Sequence, residues 1–302
     1  MTASKTTDAY QLDLSAPALE TDPYQTYARL RANRGVHYWT ATPAVRFPVL
    51  SRYADVRFAL RDPRFGPGPH DHTQPLGRDG HRLSAVDVQR VRQNLPIVVT
   101  TLLGELAHRS SFELIAEFAE PLSTHVMGDL SHVMAEDDLV SGHAMIVNLI
   151  GNGALALLNH RDQLAWLRAT PERADAAVEE LLRFDCPMQR TQRAALADIE
   201  LPEGDIIEAG EAVTILIGAA NRDYSQFAEP DRLDLDRPNA HRHLAFGSGG
   251  EVCVGAALAR LEAEIALAAL VRCLPNLHLA DPAPAWRSTS GLRGLQALYV
   301  TC

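Results

Sequence analysis

Apolar positions along the chain change period several times, and each change marks an element. Between residues 22 and 33 they fall at helical spacing behind Asp22-Pro23, which predicts a helix. GVHYWTATPAVRFPVLSRY then reads as two β-strands with a turn around Thr42-Pro43. ADVRFALRDPRFG returns to helix and stops at Asp62-Pro63, and GPGPHDHTQPLGRDG (66–80) is a Gly/Pro/His-rich loop. VQRVRQNLPIVVTTLLGELAHR and SFELIAEFAEPLSTHVMGDL are strongly amphipathic. GHAMIVNLIGNGALALLNHRDQLAWLRA and ADAAVEELLRFDCP continue as helix, the second closed by Cys186-Pro187. Residues 188–223 contain three short β-runs with turns at Pro202-Glu203-Gly204 and Ala209-Gly210, and LQALYV near the end is strand-like. Residues 1–20 read as a poorly ordered lead-in, and no internal repeats or low-complexity tracts appear.

One stretch organises the rest. In HRHLAFGSGGEVCVGAALARLEAEIALAAL (241–270), Gly247, Gly249 and Gly250 allow a tight turn close to a flat bulky group. Cys253 follows, and Gly255 opens an apolar run with helical spacing through Leu270. A thiolate just before a helix N-terminus is stabilised by the dipole and by unpaired N–H groups. Such a sulfur suits the axial position on a haem iron. The plainer alternative is an ordinary buried cysteine ahead of a core helix.

The loop closely resembles the haem-binding signature of the cytochromes P-450. Phe246, Gly247, Gly249, Cys253 and Gly255 match it, and Leu258, Ala259 and Arg260 continue as in bacterial members. One position departs: where the family has a cation near a haem propionate, the chain has Glu251. The resemblance implies haem b with Cys253 as iron ligand, bordered by Phe246, Gly247, Gly249, Gly255 and Ala259. It implies propionate partners at Arg193 and His243, and at His81, which follows the 66–80 loop. Glu180 and Arg183, three apart on one helix face, can form a charge-assisted pair. In the family this pair locks onto a later arginine, and FAEPDRLDLDR supplies Arg232 at the matching position. Met188, Gln189 and Thr191 are expected on the substrate side.

The resemblance also shows what is missing. Bacterial members are longer by on the order of a hundred residues. The losses fall between Leu130 and Ser131, where lid helices should cover the substrate, and between Ser141 and Gly142 in the central helix. The expected fold is therefore mainly α with a small β-rich part, a P-450-like fold truncated in the substrate-lid and central-helix region. At the point where the family carries an acid beside an alcohol for proton delivery, the chain has His143, Ala144 and Met145. Neither Ala144 nor Met145 can relay a proton, though His143 or an ordered water can partly substitute.

Composition narrows the setting. With 302 residues, 46 % hydrophobic, one large core or two modest ones can be buried. Lys plus Arg is 28 against 38 Asp plus Glu, and the net charge of −10 argues against nucleic acid. No apolar run approaches membrane-spanning length, the N-terminus lacks a signal-peptide h-region, and the four cysteines have no metal-site or disulfide-framework spacing. A cytoplasmic protein is expected. His70 and His72 are expected to be solvated rather than ligating. Residues 21–302 are expected to form one haem-thiolate domain. Its implied activity is that of an oxidoreductase on a small organic molecule in secondary metabolism, with electrons from a ferredoxin. An open distal face would admit peroxide or a carrier-bound substrate, and exposed helix faces would be covered by a homodimer. Two other classes stay open: non-oxygenative haem chemistry such as rearrangement or dehydration, and a catalytically silent partner protein.

Overall fold

The periodicities become helices and a small sheet in the order expected. A computed structural model describes residues 12–14, 16, 19, 21–33, 35–42, 45–68, 83–287 and 291–302. His81, His70, His72, the Pro43 turn and most of the lead-in lie outside these residues. Helix α1 (Tyr24–Ala32) precedes the hairpin β1 (His37–Thr42) and β2 (Val45–Leu50), then α2 (Tyr53–Ala59) and β3 (Phe65–Pro67). Helix α2 ends one turn before the Asp62-Pro63 stop that its sequence suggested. The helical half comprises α3 (Ala85–Leu106), α4 (Glu120–Leu130), α5 (Glu136–Asn159), α6 (Arg161–Ala169) and α7 (Ala174–Phe184), with β4 (Ser111–Glu113) between α3 and α4.

The 188–223 stretch holds four strands rather than three, β5 (Arg190–Ala195), β6 (Ile199–Glu200), β7 (Ile206–Ile207) and β8 (Ala212–Leu216). The long helix α8 (Ala256–Cys273) and strands β9 (His278–Leu279) and β10 (Tyr299–Thr301) follow. Five strands form one sheet in the order β1-β2-β8-β5-β3. β2 and β8 run parallel, Val49 opposite Thr214, and the other pairs are antiparallel. β10 closes a second sheet between β4 and β9, which ties the end of the chain to the root of α4.

Local chemistry explains the helix ends. Ser84 and Asp87 form a reciprocal cap at the start of α3: the Asp87 N–H donates to Ser84 Oγ (3.2 Å) and the Ser84 N–H to Asp87 Oδ2 (3.0 Å). One stripe of α3 is buried at every fourth position, Asp87, Val91, Leu95, Val99 and Leu103. Helix α5 is unbroken across the Ser141–Gly142 junction, so no gap interrupts it there. Every residue from Ile146 to Leu158 is buried, whereas residues 136–145 are exposed or half-buried. Gly153 lets α5 approach its neighbours, because a Cβ there would sit 3.1 Å from Leu267 and 3.3 Å from Leu181.

By length and mean hydropathy (1.3) α5 could cross a membrane, which the sequence pattern did not suggest, but 61 % of its apolar window is buried inside the fold. It is a core helix. The main core runs from Leu50 to Val300, joining α3, α5, α7 and α8.

Helix α8 carries an anomaly. Glu262 is 0 % exposed, and neither carboxylate oxygen has a hydrogen-bond partner among the described residues. Burial pushes its carboxyl well above the ordinary glutamate range. The folded state thus holds a proton that the unfolded chain releases, and stability falls as pH rises above the ordinary glutamate pKa. Glu262→Gln, which mimics the neutral acid, is expected to raise the unfolding midpoint at pH 7 and to leave it unchanged near pH 4. Thermal unfolding at the two pH values checks this.

Candidate functional site

The cysteine loop is shaped by two glycines. Gly247 (φ 79°) and Gly249 (φ 87°) occupy the left-handed region, and a Cβ on Gly249 would lie 3.0 Å from Arg61 Cα and 3.2 Å from the Leu60 carbonyl. Gly250, also expected to be needed, meets no neighbour within 4 Å. The turn carries the chain back so that the Cys253 N–H donates to the Phe246 carbonyl (3.0 Å). Cys253 is half-buried. Burial pushes its thiol up, offset only in part by the backbone at Gly255 and Ala256 and by the Arg260 charge; the Ala256 N–H donates to the Cys253 carbonyl (3.2 Å). Gly255 serves as the N-cap of α8, and Ala259 lies one turn further on, 9 % exposed.

Behind the loop sits a charged group that sequence reasoning did not single out. Glu179 on α7 receives the guanidinium of Arg260 on α8, with a second contact from Nη2 to Oε2 at 3.3 Å. Arg260 lies over the Phe246 ring, 4.6 Å from its centroid. The buried His243 ring accepts the Ala245 N–H at Nδ1 (3.1 Å) and places Nε2 3.3 Å from Glu179 Oε2, an ion-pair distance without hydrogen-bond alignment. Burial raises the Glu179 carboxyl, but His243 and Arg260 outweigh it and hold the pKa at about 2. Both His243 nitrogens therefore face protein groups. Arg193, in the middle of β5, is buried and donates to the Gln192 carbonyl (3.1 Å).

The Glu180–Arg183 pair forms as its spacing predicts, with Nε–Oε2 at 2.7 Å and Nη2–Oε1 at 2.8 Å, both side chains fully buried. The third partner differs from the expectation. Arg237 Nε lies 3.1 Å from both Glu180 oxygens. The Arg232 side chain is largely exposed and, among the described residues, reaches Glu229 alone, while its backbone carbonyl accepts from Arg183 and Arg237. The chain curls around the guanidinium, so the cation that reaches inward comes five residues later.

On the opposite side, α5 begins close enough for the Asp138 charge to act on Cys253. His143, Ala144 and Met145 are half-buried on this part of the helix. Thr191 and Arg193 share the buried face of β5. Gln189 is buried, and its Nε2 donates to the Cys186 carbonyl (2.8 Å), while the backbone of Gly218 presses against its amide. Met188 is half-buried and bridges to Leu292. A cavity of about 410 Å³ opens beside His108, Cys273 and Cys302, at the far end of α8. Cys273 closes that 18-residue helix, roughly 27 Å long, and Cys253 precedes its start, so this cavity is not part of the site.

A half-buried sulfur just ahead of a helix N-terminus, with the Arg260 charge acting on it, has the donor chemistry of an anionic ligand. These residues fit a haem iron held by Cys253. The fold and this loop together define a haem-thiolate protein, and comparison with known proteins agrees. Residues 172–275 match the family model described as Cytochrome P450. Cytochrome P450 107B1 of Saccharopolyspora erythraea is 30 % identical over 412 aligned positions, covering 99 % of both chains. The Biotin biosynthesis cytochrome P450 of Bacillus subtilis is 48 % identical over 163 residues, 54 % of this chain and 40 % of that one. In that match the chain spans about two-fifths of its relative's length. The solved structure of P450BioI in complex with hexadec-9Z-enoic acid ligated acyl carrier protein superposes with a TM-score of 0.81 at 26 % identity, covering 94 % of this chain and 99 % of that one.

The chain belongs to the cytochrome P450 family, a shortened member whose family cofactor is haem b. The corrected ion cluster gives a sharp contrast. Arg237→Ala should cost about 3–5 kcal/mol by leaving part of a buried carboxylate uncompensated, whereas Arg232→Ala should change stability by less than about 0.5 kcal/mol. Denaturant unfolding of the two variants checks the order.

Proposed function

We propose that the chain is a haem-thiolate oxidoreductase that acts on a small organic molecule in secondary metabolism, with peroxide as its oxidant. The observation that carries the reading is the half-buried Cys253, set by the Gly247–Gly249 turn immediately ahead of the N-terminus of α8. When bound, haem b supplies an iron centre whose thiolate ligand favours O–O cleavage. Cys253 is the ligand; Phe246, Gly247, Gly249, Gly255 and Ala259 shape the proximal surface. Arg193 and His243 are the side chains we assign to the propionates, and His243 would have to turn from Glu179 to serve. Met188, Gln189 and Thr191 are assigned to the substrate side, of which Gln189 reaches it only by giving up its bond to Cys186.

The choice of oxidant follows from α5. Ala144 and Met145 carry no group that can hold or pass a proton, and His143 is the one titratable side chain beside them. Peroxide arrives already protonated, so it asks less of these residues than dioxygen does. The half-exposed first turns of α5 support an open distal face, which suits a substrate delivered on a carrier. One solved relative was crystallised in complex with an acyl carrier protein ligated to hexadec-9Z-enoic acid. A ferredoxin docking on the cysteine side, a homodimer covering exposed helix faces, and a cytoplasmic setting complete the proposal. The Ala144 and Met145 replacements equally favour a second reading, non-oxygenative rearrangement or dehydration at the same iron.

The purified protein with haemin should show the thiolate Soret shift when reduced under CO, and Cys253→Ala should lose it. Absence of the shift in the parent protein refutes the reading. Turnover is expected with peroxide rather than with reductant and dioxygen, and failure with both favours the non-oxygenative chemistry. The double variant Ala144→Glu, Met145→Thr should raise dioxygen-supported turnover by about 100-fold relative to peroxide-supported turnover.

A further inference from the structure

Glu179 and Glu180 are neighbours on α7 and point in different directions. Glu180 enters the Arg183–Arg237 cluster, whereas Glu179 faces α8 and the cysteine loop. We propose that Glu179 is a positioning residue for Cys253, acting through Arg260 and Phe246. The proposal rests on the haem-thiolate reading, and the contacts that carry it form a continuous series.

Glu179 sits at 17 % side-chain exposure and takes the Arg260 guanidinium on both carboxylate oxygens. A guanidinium held by such a fork has its plane fixed, unlike a free arginine side chain. The fixed plane lies 4.6 Å over the Phe246 ring, a cation–π distance. The Phe246 carbonyl in turn accepts the Cys253 N–H at 3.0 Å, across the turn made by Gly247 and Gly249. His243 adds a second tie, since its ring is 5.9 Å from Phe246 and its Nε2 is 3.3 Å from Glu179.

The loop needs such a restraint. Its glycines make it permissive, Gly250 meets nothing within 4 Å, and Val252, next to the ligand, is 45 % exposed. Without the carboxylate, Arg260 regains its rotamer freedom, Phe246 loses its cover, and of the two hydrogen bonds on the Cys253 backbone, to Phe246 and from Ala256, the first is left on an unrestrained partner. Cys253 would then drift from its place ahead of α8.

Amide hydrogen exchange over residues 244–253, on the purified full-length protein with and without haemin, tests this together with the reduced CO spectrum. In Glu179→Gln and in Arg260→Gln we expect exchange of this segment to rise about tenfold while segments in α3 and α5 stay unchanged. The fraction of CO complex with the thiolate Soret shift should fall in the same two variants. Because Glu179 acts through Arg260, the double variant should match Arg260→Gln within about twofold. Glu172→Gln, on the exposed turn before α7, should match the parent protein.

Unchanged exchange in Glu179→Gln overturns the proposal, and so does an additive double variant. The haem reading fails separately. If the parent shows no thiolate shift but Glu179 still controls loop exchange, the staple stands and the ligand assignment falls.

Discussion

A carboxylate in the protein interior is tolerable only if cations surround it, and Glu180 is the one on which this fold is assembled. Its two oxygens take Arg183 from the same helix and Arg237 from a loop more than fifty residues later. Arg183 spends its remaining donors on the carbonyls of Asn221, Pro230 and Arg232, so a stretch without regular structure is held by side-chain chemistry. Asn221 passes the constraint on. Its Oδ1 accepts the Leu244 N–H at 2.7 Å, at the entry to the loop that ends in Cys253. The entry to the cysteine loop is thus tied to a buried ion cluster through one asparagine.

The other wall of the site is α5, and its two halves behave differently. The second half is enclosed on all sides by α4, α7 and α8, with Gly153 permitting the contact. The first half is exposed or half-buried by comparison. A shortened chain can keep the fold because the ion cluster, the cysteine loop and the packed half of α5 all lie on the retained side. What shortening removes is cover over the distal face, and with it the segments that would select a substrate.

Much of this was legible in the residues. The helix–hairpin–helix opening, the amphipathic helices, the Glu180–Arg183 pair and the glycine-cysteine loop each have a local signature, since period, capping and φ preference act within a few residues. The partner of Glu180 was less legible. Arg232 and Arg237 stand in the same short segment, and only the path of the backbone decides which guanidinium faces inward. The fourth strand in residues 188–223 and the unbroken course of α5 through Ser141 and Gly142 were hidden for a similar reason, because both depend on pairing or packing with other residues.

By itself, then, the sequence determined the element order, the placing of a single cysteine between a glycine turn and a long helix, and the absence of an acid and an alcohol at Ala144 and Met145. Those are properties of single residues and of short spacings. The tertiary structure alone decided that Arg237 closes the ion cluster, that Glu179 and Arg260 clamp Phe246, and that Glu262 is buried unpaired. Each of these joins groups dozens of residues apart, or depends on what surrounds a side chain in three dimensions, and no local spacing records either.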